Sequence, residues 1–253
     1  MKQQHLFSLL FTLFLAVETV TILFVPFWWF LPFSLFISVV AWGSLTISSQ
    51  LFVPTICHHS GRGIILSFDD GPDKNQTVRV LDTLKKHSAQ ALFFVVGKQV
   101  KKHPDILRRI VDEGHTVGIH TFSHSPFFGF FSTKKMQSEI LETADIIEKT
   151  SGVKPTLFRP PSGVTNPPLA KALRMLNLTT IGWSVRSFDT LFSDRDKLLK
   201  RLIRHTKEGD IVLLHDRLAI TADVLDEYLQ SLHDSGFLVD SIAEYRTVRQ
   251  DKI

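Results

Sequence analysis

The chain has 253 residues, 44% of them hydrophobic, with 21 phenylalanines and a formal net charge of +4. Its single cysteine, Cys57, excludes an intrachain disulfide framework and a cysteine-based zinc site, so any bound metal must rest on His, Asp or Glu. The positive excess is small and spread over amphipathic stretches, which excludes a nucleic-acid partner and reads as ordinary solvated faces.

The charge pattern breaks near residue 56. Between Leu6 and Ile56 the only charged residue is Glu18, whereas charges are frequent after Arg62. The reading is a membrane-anchoring apolar region, residues 1–56, and a catalytic domain, residues 57–253. Residues 6–25 are about the length that crosses a bilayer core as a helix. Pro26 and Pro32 then bracket an aromatic cluster, and Trp28 and Trp29 suit a membrane interface. A second apolar run, residues 34–47, follows. The simplest arrangement is a transmembrane helical hairpin, with membrane lipid as a partner and the bacterial cytoplasmic membrane as the location. The apolar region is too long for a cleaved signal peptide. Two full spans would return the domain to the cytoplasm, and one span or a re-entrant segment would export it. The sequence leaves that choice open, along with the oligomeric state.

After residue 62, short apolar runs alternate with helical patterns. Strands are expected at residues 63–68, 91–96, 115–120, 156–159, 179–184 and 210–215, with a weaker one at 236–241. Helices are expected at 75–88, with Val78, Leu81 and Leu84 on one stripe, and at 104–114, 132–152, 194–209 and 222–236. Pro104 opens one and Gly152 closes another, as helix punctuation requires. Strands alternating with helices predict a parallel sheet, open or closed as a barrel, with function at the strand carboxyl ends. Reactive residues fall there. Asp69 and Asp70 follow the first strand, His120 ends the third, Arg159 the fourth and His215 the sixth.

Two adjacent carboxylates in "SFDDGP" repel each other unless a cation separates their roles. His120 and His124 in "HTFSH" share a face if the strand passes into a helical turn. With one carboxylate they make a two-His, one-carboxylate site for a divalent ion. The other carboxylate stays free as a base, while the ion acidifies water and polarises a carbonyl.

"SFDDGP", "HTFSH", "RPPSG" and "IVLLHD" stand in the order and spacing of the polysaccharide deacetylase family (NodB-homology domain, carbohydrate esterase family four), which residues 64–240 resemble. The resemblance implies a distorted (β/α) barrel of about seven parallel strands, here preceded by the transmembrane hairpin. It implies hydrolysis of N-acetyl groups on amino sugars, with zinc, cobalt or another divalent ion as cofactor. By position, Asp69 becomes the catalytic base, and Asp70, His120 and His124 become metal ligands. Arg159 orients the base. Pro161 and Ser162 border the oxyanion site, with the Ser162 N–H as a donor. Trp183 forms a groove wall, Leu213 lines the acetyl-methyl pocket, and His215 protonates the leaving amine.

The sequence departs from the family pattern in places. Arg186 stands where many members carry an Asp that pairs with the catalytic His. Asp189 or Asp216 is left to replace it, unless an arginine there depresses the His pKa instead. Ser162 replaces a usual aromatic, and Ile119 a usual Asn. The expected partner is an N-acetylated envelope glycan or a lipid-linked saccharide. The alternative is a catalytically weak, membrane-anchored glycan-binding protein.

Overall fold

The computed structural model describes residues 30–59 and 63–239, together with Val17 and Thr19. It divides into two compact units, Met1–Trp42 and Gly43–Ile253.

Helix α1 (Phe30–Leu45) begins in the first unit and ends in the second. It is apolar on every face, without a polar stripe. It includes Pro32. Its 16 described residues span about 24 Å, against a bilayer core of about 30 Å. No helix among the described residues is long and apolar enough to cross a membrane. The first half of the expected hairpin, residues 6–25, lies almost wholly outside the described residues.

The second unit is built on eight parallel strands in the order β1-β6-β5-β4-β3-β2-β8-β7, a sheet curved into a half-barrel. They are β1 (Thr55–Ile56), β2 (Ile65–Asp69), β3 (Leu92–Val95), β4 (Thr116–Ile119), β5 (Leu157–Phe158), β6 (Thr179–Ile181), β7 (Val185–Arg186) and β8 (Ile211–His215). The two edge strands, β1 and β7, were not expected. Each has two residues, too few to show a period. Among its described residues, the weak strand expected at 236–241 shows one bridge, Ile64 with Val239.

Alternation along the strands sorts the side chains. Leu66, Phe68, Phe93, Val95, Val212 and Leu214 face the helices and join the larger core. Ile65, Leu92, Phe94, Leu157, Ile181 and Ile211 form a second cluster on the inner face. Each such side chain, fully buried, contributes about 1.5–3 kcal/mol. Ser67, Asp69, Leu213 and His215 share the inner face by the same period-two rule. Apolar burial low on the strands thus fixes where the polar ends point.

The helices are α2 (Gln76–Lys86), α3 (Gly97–Lys102), α4 (Pro104–Asp112), α5 (Thr133–Ser151), α6 (Pro167–Leu176), α7 (Arg195–His205) and α8 (Ala219–Asp234). Ser132, Asn166 and Asp194 cap α5, α6 and α7 by accepting backbone N–H groups, each worth about 1 kcal/mol. Gly152 ends α5 at φ 73°, a left-handed conformation that costs glycine little. In α2 the buried stripe is Thr77, Val80, Leu81 and Leu84, which includes the expected Leu81 and Leu84, while Val78 is only half-buried. Helices α3 and α6 were not anticipated. One has six residues and the other opens on two prolines.

Candidate active site

Asp69 and Asp70 are adjacent in sequence but answer to different cations. Asp69 ends β2 with its side chain on the inner face. Its Oδ1 accepts from Arg159 Nη1 at 2.7 Å. Arg159 follows β5 and is fully buried. It donates elsewhere too: Nη1 reaches Ser67 Oγ at 3.0 Å, Nε the Ile181 carbonyl at 3.1 Å and Nη2 the Gly182 carbonyl at 2.6 Å. Its guanidinium lies 4.2 Å from the Phe94 ring centroid. A buried arginine is tolerable only when an anion and several acceptors pair it in this way.

The chain reverses at Asp70, which sits at φ 78°, a left-handed conformation costing roughly 1–3 kcal/mol in a non-glycine residue. That turn aims its carboxylate away from Arg159. Oδ1 lies 3.2 Å from His124 Nε2 and 3.6 Å from His120 Nε2. Oδ2 accepts from Arg217 Nε at 2.8 Å. Burial alone would raise the Asp70 pKa, but the three nearby histidines and Arg217 hold it below the usual carboxylate range. Gly71 is required next, since a Cβ there would collide with the Asp216 carboxylate.

His120 follows β4 directly. Its Nδ1–H donates to the Arg159 carbonyl at 2.8 Å, which fixes the tautomer and leaves Nε2 bare. Burial pushes its pKa down, against the pull of Asp69 and Asp70, and favours the neutral ring. His124 arrives by a loop and not by the expected helical turn. Thr121 and His124 both have positive φ, 64° and 47°. The loop is pinned from α5, where the Glu139 carboxylate accepts from Ser123 N at 2.7 Å and Ser123 Oγ at 2.9 Å. Candidate ligand atoms of Asp70, His120 and His124 all lie within 4.8 Å of one another. A fixed tautomer, a neutral ring and an ionised carboxylate fit one divalent ion with open positions.

His215 ends β8, in register with Asp69. Its Nδ1 lies 2.7 Å from Asp189 Oδ1, and its backbone N–H donates to Asp189 Oδ2 at 2.7 Å. Thr221 Oγ1 holds the same Oδ2 at 2.7 Å. Burial would lower the His215 pKa, but the hydrogen bond and charge of Asp189 outweigh it and raise it. Asp189 therefore takes the place left by Arg186. Arg186 is exposed, 5.9 Å from the Trp183 ring and 5.1 Å from the Phe188 ring. Asp216 does not pair with His215. It is fully buried, accepts from Thr77 Oγ1 at 2.6 Å, and burial pushes its carboxyl up to about 7.

The remaining expected residues gather around this centre. Pro161 is buried, while Ser162 is exposed at φ 56°. Trp183 packs where a Gly163 Cβ would lie, 5.6 Å from the Arg159 guanidinium. Leu213 is buried beside Ser67, two residues before His215. A groove of about 600 Å³ opens beside His124, lined by Lys98, Phe122, Phe131, Lys135 and Glu142. Glu139 and Arg217 were not anticipated. Glu139 lies 15 residues beyond His124 on a helix face, and Arg217 carries no motif.

A family model described as polysaccharide deacetylase matches residues 58–181. The peptidoglycan-N-acetylmuramic acid deacetylase PdaC of Bacillus subtilis is 35% identical over 189 residues, covering 75% of this chain and 40% of that protein. A peptidoglycan-N-acetylglucosamine deacetylase of Bacillus cereus is 32% identical over 186 residues, covering 72% and 86%. The structure of PdaC superposes with a TM-score of 0.69 at 34% identity, covering 76% of this chain and 94% of that one. BA3943 of Bacillus anthracis, described as a carbohydrate esterase family four pseudoenzyme, superposes with a TM-score of 0.70 at 29% identity, covering 76% and 68%. The chain spans about two-fifths of the length of the first curated relatives it matches, 40% and 39%. On matched relatives, shared fold and the order of its site residues, the chain belongs to the polysaccharide deacetylase family.

Proposed function

We propose that this chain is a metal-dependent N-deacetylase for N-acetylated amino sugars of a peptidoglycan-type glycan, held at a membrane by its N-terminal apolar region. The observation that carries the reading is the division of labour between Asp69 and Asp70. One carboxylate is committed to a buried arginine and the other to two histidines. The relatives' activities on N-acetylmuramic acid and N-acetylglucosamine support the substrate class.

Asp70, His120 and His124 would hold a divalent ion, zinc or cobalt among the candidates, which when bound supplies Lewis acidity toward water and the amide carbonyl. Asp69 acts as base. Its Oδ1 is locked by Arg159, and its Oδ2 faces His120 Nε2 at 3.7 Å and is the oxygen left to take a proton. As water adds to the acetyl carbon, the Ser162 N–H steadies the oxyanion. His215, held protonated by Asp189, gives its proton to the nitrogen as the C–N bond breaks. The products are acetate and a free amine. Pro161 and Trp183 border the sugar, and Leu213 meets the acetyl methyl.

The test is acetate release from N-acetylglucosamine oligomers, peptidoglycan fragments and a lipid-linked amino sugar, after chelation and again with added zinc or cobalt. Metal-dependent release that Asp69→Asn abolishes is expected. Release unchanged by Asp69→Asn, or none from any substrate with one metal bound per chain, overturns the reading. A second reading, a glycan-binding protein of little activity, is favoured by Ser162 and by the likeness to a pseudoenzyme. It requires glycan retention without acetate.

A further inference from the structure

Two loops leave the carboxyl ends of neighbouring strands β4 and β5, and both carry apolar surface to one place. The loop after β4 runs from His124 into the turn Phe128–Phe130. Phe128 anchors that turn in the core, while Phe127 and Phe130 point out, Phe130 being 89% exposed. The loop after β5 runs from Arg159 through the Ser162 corner to Thr165 and Asn166. Asn166 Nδ2 donates to the Gly129 carbonyl at 2.6 Å, tying the phenylalanine turn to this loop. Thr165 donates twice to the end of α1, from N to the Ser44 carbonyl at 3.0 Å and from Oγ1 to the Gly43 carbonyl at 3.2 Å. Leu45 beside it is 70% exposed, and Leu51, which packs on Gly43, is also exposed.

The chain therefore enters the catalytic domain at the rim of the candidate active site. What precedes Gly43 in sequence, back to Leu6, is a largely apolar stretch with Glu18 as its one charge, and residues 6–25 are long enough to reach across a bilayer core. Lys134 and Lys135 follow the phenylalanine turn and are exposed, an arrangement suited to anionic headgroups beside an apolar wedge. Other exposed apolar residues, such as Met175 and Leu238, lie on separate elements and need no such account.

We propose that Phe127, Phe130, Leu45 and Leu51 form a docking surface for the lipid bilayer, which holds the strand-carboxyl face and its metal-ligand loop against the membrane. If the deacetylase reading of the site holds, on which this consequence rests, the substrate is an amino sugar presented at the membrane surface, such as one carried on a lipid.

The test uses the full chain in vesicles of phosphatidylcholine and phosphatidylglycerol with brominated acyl chains. A bimane label is placed on Phe130→Cys or, as a control, on Lys154→Cys, which lies just before β5 at the opposite end of the strands. The native Cys57 is buried and is spared by the label. Quenching of the Phe130 label without quenching at Lys154 is the expected result. Equal quenching at both positions, or none at Phe130 in vesicle-bound protein, overturns the proposal. Shielding of the Phe130 label that rises with protein concentration in detergent would assign the patch to a second copy and also overturn it. In parallel, Phe127→Ser/Phe130→Ser should lower turnover of a lipid-linked amino sugar and leave that of soluble oligomers unchanged. Quenching needs no catalysis, so a silent enzyme with a quenched label would sink the deacetylase reading and leave the docking surface standing.

Discussion

Asp69 and Asp70 differ by one peptide bond and by almost everything else. Asp69 is buried against an arginine held by four hydrogen bonds, a region with one arrangement available to it. Asp70 stands among two histidines and a half-exposed Arg217, where partners can exchange when an ion enters. The contrast teaches that the base half of the site is held by the fold itself. The ligand half is held by loops that other elements must brace.

The sharpest way to break the comparison is to remove charge from the rigid half. Asp69→Asn should lower acetate release about 10²–10⁴-fold while near-ultraviolet circular dichroism stays native. Arg159→Met leaves Asp69 buried and unpaired, and should cost about 3–5 kcal/mol in stability, read from the denaturant midpoint. In the braced half, Glu139→Ala frees Ser123 and the His124 loop. Metal affinity should fall about 10–100-fold by competition with a chelating dye, with little change in midpoint.

Asp189→Asn should give the smallest loss but a distinctive profile. Asp189 raises the His215 pKa against burial. An acid must be protonated to act, so activity declines as pH rises through that pKa. Without the Asp189 charge, burial prevails and the alkaline limb should move to lower pH. The same raised pKa gives the folded state an advantage that is complete below about 6.5, the unfolded value, and fades as pH climbs through the folded value. A pH series of unfolding midpoints, flatter in the variant, checks that sign.

Much of the rigid half was legible beforehand. Strands β2, β3, β4, β5, β6 and β8 announce themselves as apolar runs, and Asp69, His120, Arg159 and His215 fall at or just past their ends. The braced half was not. The His120 and His124 spacing suggested a helical turn, but two positive-φ residues make a loop there, a backbone choice that side-chain order does not encode. Asp189 was one of two visible candidates for the His215 partner. Deciding between them needed the path of the chain after β7, where Phe188 turns at φ 59°. Glu139 and Arg217 act through contacts between distant elements, which no periodicity reports.

One hydrogen bond joins the two halves, from the His120 imidazole to the main-chain carbonyl of Arg159. The side chain of residue 159 serves the base, whereas its backbone serves the ligand. Drift at this position would forfeit the first service and keep the second, since every amino acid offers the same carbonyl. Ion content and turnover are therefore separable traits in this scaffold. A descendant that had lost its chemistry could still be isolated with its ion in place.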